Sequence, residues 1–226
     1  MPRFGKLMLA SGLALVAGAP AALAQVAGIP VYYNPRGGTG VSVAGNLGFL
    51  SSDGGDGKGY AVTGGIGAGP AYITASVGQF NPASVGSVNP DAEMTYGGTV
   101  SFKLFGGGVL PLSISPQIGV GMVKFGGVTY TSVPIGVGVG LNLPLFPLKP
   151  WIAPRVRLAR SSGGGLPSDS ETFIGVSAGA DFNLLLGLGF HAAFDYEPKK
   201  TVNNVDIPST TVFGIGAHFN FRVPMM

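Results

Sequence analysis

Residues able to do chemistry are scarce within the apolar runs of this chain: Lys103, Arg155, Arg157, Asp181, His191, Asp195, His218 and Arg222. Arg155 and Arg157 stand two apart and His191 and Asp195 four apart, which in an extended strand puts each pair on one face. Folding the later strands as hairpins brings the two cations toward His191 and Asp195. That points first to an internal ion-pair network, because buried charges need partners. The sharper reading of Lys103, Arg155, Arg157, Asp181, His191 and Asp195 is a constriction or gate that selects what passes. Catalysis is the weakest reading, since the chain has no cysteine and no GxSxG or HExxH motif. Asp53 and Asp56 in "SSDGGDGKG" lack the spacing and closing Glu of a calcium loop. Glycine-rich pieces such as "GGIGAG" have no helix after them, which excludes a phosphate-binding loop. No catalytic residue, metal or cofactor is expected.

Strands have to position these side chains. From Thr39 onward apolar residues recur at every second position in ten runs, 39–50, 59–68, 71–80, 94–105, 112–123, 134–145, 151–160, 172–183, 186–196 and 211–221. A helix would repeat at three and four. The run "PIGVGVGLNLPL" sets Ile135, Val137, Val139, Leu141 and Leu143 against Gly136, Gly138, Gly140 and Asn142. About ten residues is the length a tilted strand needs to cross a bilayer. Pro116, Pro134 and Pro154 fall inside runs and read as bulges near strand ends, because proline cannot donate to the ladder. If one of them ends a strand, eight strands is the fallback.

The odd-numbered connections read as long and polar: "SSDGGDGKG", "NPASVGSVNPDAE", "KFGGVTYT", "SSGGGLPSDSE" and "EPKKTVNNVDIPST". The even-numbered ones, "GP", "GGGVLP", "PLFPLKP" and "LL", are shorter or more apolar. Asp53, Asp56, Asp91, Glu93, Asp169, Glu171, Glu197 and Asp206 fall in or at the edges of the long loops. Loops on one side and turns on the other is the asymmetry of a membrane barrel.

Ahead of the strands, residues 1–24 carry Arg3 and Lys6, an apolar run and an Ala22-Leu23-Ala24 site, the three parts of a cleaved signal peptide. Residues 25–226 form one expected domain. Its make-up is odd for a water-soluble one: charged residues are 10% and there are 40 glycines, against a usual quarter or so charged. Without Arg3 and Lys6, the 13 basic residues fall to 11 against 10 acidic, which offers nothing to nucleic acid.

A β-sandwich also alternates, but its outer face should be rich in Lys, Glu, Thr and Arg. Here the second face is Gly, Ser, Ala and Thr, so the apolar face is the one expected to meet lipid. Phe49, Tyr60, Phe173, Tyr196 and Phe213 then read as one aromatic belt near the loops. Phe102, Phe105, Phe146, Trp151, Phe182, Phe190, Phe219 and Phe221 read as the other.

The leader, the alternating strands, the loop asymmetry and the aromatic last strand "TTVFGIGAHFNF" resemble the small outer-membrane β-barrel proteins of Gram-negative bacteria. The resemblance is of architecture, without a diagnostic motif. It implies an all-β, transmembrane, antiparallel up-and-down barrel in the outer membrane, in contact with lipid and lipopolysaccharide. It also implies recognition of the last strand by the barrel-assembly machinery, although this chain runs past Phe221 through "RVPMM". The functional expectation is a non-enzymatic surface-loop scaffold or narrow solute channel. Alternatives are a surface-binding or adhesion module acting through the loops and, behind it, a hydrolase or acyltransferase. The histidines fall mid-strand and near the short turns, away from an outer mouth where such an enzyme would work.

Overall fold

A computed structural model describes residues 26–31, 39–53, 55–84, 90–107, 110–142, 146–202 and 205–221. The expected signal peptide and Arg222 lie outside them. The strands are β1 (Gly40–Ser52), β2 (Gly57–Ala68), β3 (Ala71–Pro82), β4 (Glu93–Phe102), β5 (Phe105–Gly107), β6 (Leu110–Phe125), β7 (Val128–Leu141), β8 (Leu148–Gly163), β9 (Leu166–Asn183), β10 (Leu188–Glu197), β11 (Lys200–Val202), β12 (Val205–Ile207) and β13 (Thr210–Phe221). Each long strand pairs antiparallel with the next in sequence, β4 pairs with β6, and β1 pairs with β13. The sheet therefore closes on itself as a barrel of ten strands, β1–β4, β6–β10 and β13. Among the described residues no helix is long and apolar enough to cross a membrane.

The period-two pattern sets the faces. Ile135, Val137 and Leu141 are exposed on the outside of β7, as are Ile152, Val156 and Leu158 on β8. Gly138 and Gly140 face in, where space is short. The jacket of exposed apolar side chains ends at Leu158 and Ile174, and beyond it the outer positions become Arg160, Thr172 and Ser170. β8 and β9 have 16 and 18 residues, against about 9–11 needed to span. Their surplus of six or so residues adds about 20 Å of strand, which at the usual tilt carries this hairpin about 14 Å past the membrane.

Several sequence expectations change here. The third and fourth loops are not long. β6 and β7 turn at Gly126-Gly127, and β8 and β9 at Gly164-Gly165, all four glycines at positive φ. Two residues of left-handed backbone make the hairpin turn whose twist matches the strands, so the polar residues on either side stay paired. Pro116, Pro134 and Pro154 are not bulges: the β6–β7, β7–β8 and β8–β9 ladders run past them without a register shift. β10 begins at Leu188 rather than 186, because Leu185–Gly187 forms a short turn with Leu186 at φ 62°. Phe173 and Trp151 leave the aromatic belts, since both point into the barrel. Parity decides this, as Trp151 shares a face with Ala153 and Arg155, and Phe173 with Gly175 and Ser177.

The lumen is filled partly by the chain's own N-terminal segment. Val26, Ala27, Ile29 and Val31 are buried, with Ala27 among Leu50, Phe80, Val123, Tyr130 and Val212 near the loop end. Val31 packs against Trp151, Ala153 and Ala193. Gly28 (φ +70°) gives the turn its tightness: Ile29 N donates to Val26 O at 3.1 Å.

Candidate functional site

Three neighbouring strands build a charged cluster inside the barrel. Arg155 and Arg157 on β8 stand two apart, and so do Asp195 and Glu197 on β10, so each pair points inward. β9 lies between them, and its inward residues are small where the ion pairs cross. Gly175 lies opposite Arg155, and a Cβ there would come within 2.9 Å of Glu197 Cγ and 3.0 Å of Arg155 Nη2. Arg155 Nη2 donates to Asp195 Oδ1 at 2.5 Å and to Glu197 Oε1 at 2.9 Å. Arg157 grips Glu197 with two bonds, Nε to Oε1 at 2.8 Å and Nη2 to Oε2 at 2.5 Å. Such paired bonds are the strongest geometry these groups have.

The surroundings complete the cluster. Ser177 Oγ accepts from Arg155 Nη1 at 2.8 Å and donates to Asp195 Oδ2 at 3.0 Å. The Arg157 guanidinium lies over the Phe173 ring, 4.3 Å from its centroid. All four charged groups are buried, two cations against two anions. The cluster is neutral as a set, which is the condition for keeping charges out of water.

The buried Val26–Val31 segment, a plug in the lumen, is tied to the same cluster. Val31 N donates to Asp195 Oδ2 at 3.2 Å, and nearer the loops Ala27 N donates to Thr95 Oγ1 at 3.1 Å. Gly48 and Gly59 provide the berth, because a Cβ on Gly48 would collide with the Gly28 carbonyl and one on Gly59 would lie 2.8 Å from the Ala27 and Gly28 carbonyl oxygens.

A second polar group occupies the turn-side half. Asp181, His191 and His218 approach one another there. A chain of hydrogen bonds runs from Asn183 through His218, His191, Asn46 and Thr63 to Ser76. Lys103 stands apart, in the turn after β4, where its backbone N donates to Pro70 O.

Of the acids expected in loops, Asp53, Asp56 and Asp91 lie outside the strands, and Glu93 opens β4. Asp169 and Glu171 belong to the protruding part of β9, and Asp206 to β12. Glu171 pairs with Lys200 at 2.6 Å and Asp206 with Lys199 at 2.6 Å. Glu197 is the functional residue that sequence reasoning missed. Ending the strand at 196 placed it in a loop, whereas its parity with Asp195 and its match to the Arg155 and Arg157 spacing would have placed it inside.

A closed antiparallel sheet with an apolar jacket and a polar, charged interior defines a transmembrane β-barrel protein. The resemblance to small outer-membrane barrel proteins holds at the level of that architecture. No family model matches the chain, and no curated protein matches it. Solved structures similar in fold include Neisserial surface protein A, at 13% identity and TM-score 0.41, covering 80% of this chain and 96% of that one. The β-domain of the Bordetella autotransporter Brka is 15% identical at TM-score 0.46, covering 80% and 99%. Yersinia pestis Ail in a phospholipid bilayer nanodisc is 15% identical at TM-score 0.37, again covering 80% and 99%.

Proposed function

We propose that this is a non-enzymatic barrel of the Gram-negative outer membrane, shut by its own N-terminal segment, whose work is done by the hairpins it holds outside the bilayer. The observation that carries this is the Val26–Val31 segment inside the lumen, bonded to Thr95 and Asp195. A lumen filled in this way favours a scaffold over an open pore. The β8–β9 hairpin and the β11–β12 hairpin, with their Glu171–Lys200 and Lys199–Asp206 pairs, then form the surface that meets an extracellular ligand or lipopolysaccharide. Outward-facing Phe213, Phe219 and Phe221 on β13 suit recognition by the barrel-assembly machinery.

The site chemistry supports a non-catalytic role. Ser177 bonds Asp195 and Arg155, and the histidines bond each other, Asn46 and Asn183. A narrow channel is the second reading, favoured by the polar chain through His191 and His218 that lines the turn-side half. Planar-bilayer conductance of refolded residues 25–226 separates the two, beside a variant with Arg155 and Arg157 both changed to Ala. Silence from the folded wild-type chain supports the scaffold. Discrete wild-type openings that change in the double variant overturn it in favour of the channel.

A further inference from the structure

Two imidazoles meet inside the barrel in an arrangement that asks for a cation between them. His191 on β10 and His218 on β13 lie on paired strands, and Gly216 and Gly189 opposite them leave the room: a Cβ on Gly216 would collide with His191 Nε2 and one on Gly189 with His218 Nε2. The ring planes are within 16° of each other with centroids 5.3 Å apart. The Nδ1 atoms are 3.1 Å apart. That centroid separation is close to the largest such a contact permits, so the rings meet edge to edge, nitrogen facing nitrogen.

The outer nitrogens fix the tautomers. His191 Nε2 lies 2.8 Å from Asn46 Oδ1, and His218 Nε2 lies 3.2 Å from Asn183 Oδ1. An amide oxygen accepts and cannot donate, so each Nε2 carries the hydrogen. At its other end Asn46 Nδ2 donates to Thr63 Oγ1 at 3.1 Å. With both rings neutral and Nε2 the donor on each, the two Nδ1 lone pairs face one another, an arrangement that a proton or a metal ion held between them relieves. A third ligand is at hand. Asp181 pairs with His191 in the β9–β10 ladder, and one ligand atom from each of Asp181, His191 and His218 lies within 4.8 Å of the others.

We infer that Asp181, His191 and His218 form a binding site for a divalent transition-metal ion of borderline softness, of the zinc class. Imidazole nitrogens select such ions over calcium or magnesium. Two metal–nitrogen bonds at a tetrahedral angle place the nitrogens about 3.3 Å apart, within a few tenths of the 3.1 Å observed. The ion stands off the line joining them, and the rings tilt toward it as it enters. Asn46 and Asn183 hold the far nitrogens, the orienting role that outer partners of metal-bound histidines play. The fourth position is left to water or an exchangeable anion.

The two histidines of the site are the chain's complement of two, so in tag-free protein any imidazole-bound metal is bound here. Refolded residues 25–226 in detergent micelles are titrated with Co²⁺, whose visible bands report coordination, and then with Zn²⁺ in competition. The expected result is one equivalent with four- or five-coordinate bands. His218→Gln and Asp181→Asn should abolish or shift those bands, and Asn46→Ala should weaken binding about 10–100-fold. Heat-modifiable gel migration verifies that each variant is folded. Absence of saturable Co²⁺ bands in the folded wild-type chain overturns the site and leaves a proton shared by the two rings. Bands unchanged in folded His218→Gln overturn it equally.

Discussion

Changing Glu197 to Gln removes one carboxylate that two arginines share. Glu197 binds Arg155 through one bond and Arg157 through two, and all three side chains are at most 4% exposed. The variant leaves two buried cations against Asp195 alone, a net charge of one with no partner. Breaking a buried pair in this way costs about 3–5 kcal/mol. Arg157→Met should cost a similar amount by leaving the opposite charge uncompensated. The double variant is neutral again, and Arg155 keeps Asp195 and Ser177. Its cost should fall well below the sum of the singles, with a coupling of several kcal/mol, above the 0.5–3 kcal/mol typical of contacting residues. Urea unfolding in lipid vesicles gives these differences, with Trp151, the chain's one tryptophan, as the fluorophore inside the lumen beside Val31. Single variants costing under about 1 kcal/mol, the worth of an exposed pair, would refute the reasoning and show that water reaches the cluster. Additive singles would do the same.

Other perturbations test the remaining parts. Gly48→Val drives a side chain into the Gly28 carbonyl. Burial of Val26, Ile29 and Val31 contributes about 4.5–9 kcal/mol against about 6–12 kcal/mol for ordering six residues. One collision should therefore expel the segment, read as protease access to the N-terminus and as conductance absent from the wild type. Phe173→Leu takes the ring from beneath Arg157 and should cost about 0.5–2 kcal/mol, whereas Phe173→Tyr should cost less in the same urea titration. At the surface, hydrogen bonds from Lys199 and Thr201 hold the Asp206 carboxyl below its ordinary value. A lowered value means that the contact is present above the usual carboxylate range and is lost as pH falls through the lowered one. Carboxyl carbon NMR should show that late titration, and Lys199→Met should return it toward the ordinary range.

Most of the barrel was legible because a membrane strand states its facing at every second residue. Ile152, Val156 and Leu158 against Ala153, Arg155 and Arg157 fixed β8 without help from any neighbour. The hairpin ends were harder to read, since polar residues such as Thr129, Ser162 and Asp169 read as loop when they continue a ladder past the lipid. The Gly126-Gly127 and Gly164-Gly165 pairs were the available signals of tight turns there. The plug carried almost none. "VAGIPV" is too short for a period, and what buries it comes from β1, β3, β6, β7, β8, β10 and β13, distances along the chain that no local pattern spans. The histidine pair was visible as two inward residues, but their edge-to-edge meeting depends on the β10–β13 register.

The seam between β1 and β13 joins the two ends of the strand sequence, Val41 beside Phe221. Contacts so distant along the chain are the slowest to form, which makes this seam a clock for assembly. The plug lies eight residues ahead of β1 in the sequence, and its hydrogen bonds are to β4 and β10, on opposite sides of the seam. Threading it into a finished cylinder would mean stripping its backbone of water at a narrow mouth before Thr95 or Asp195 could replace that water. Laying it against the open sheet avoids that step. A barrel that closes this seam last would shut its wall over an interior already in place.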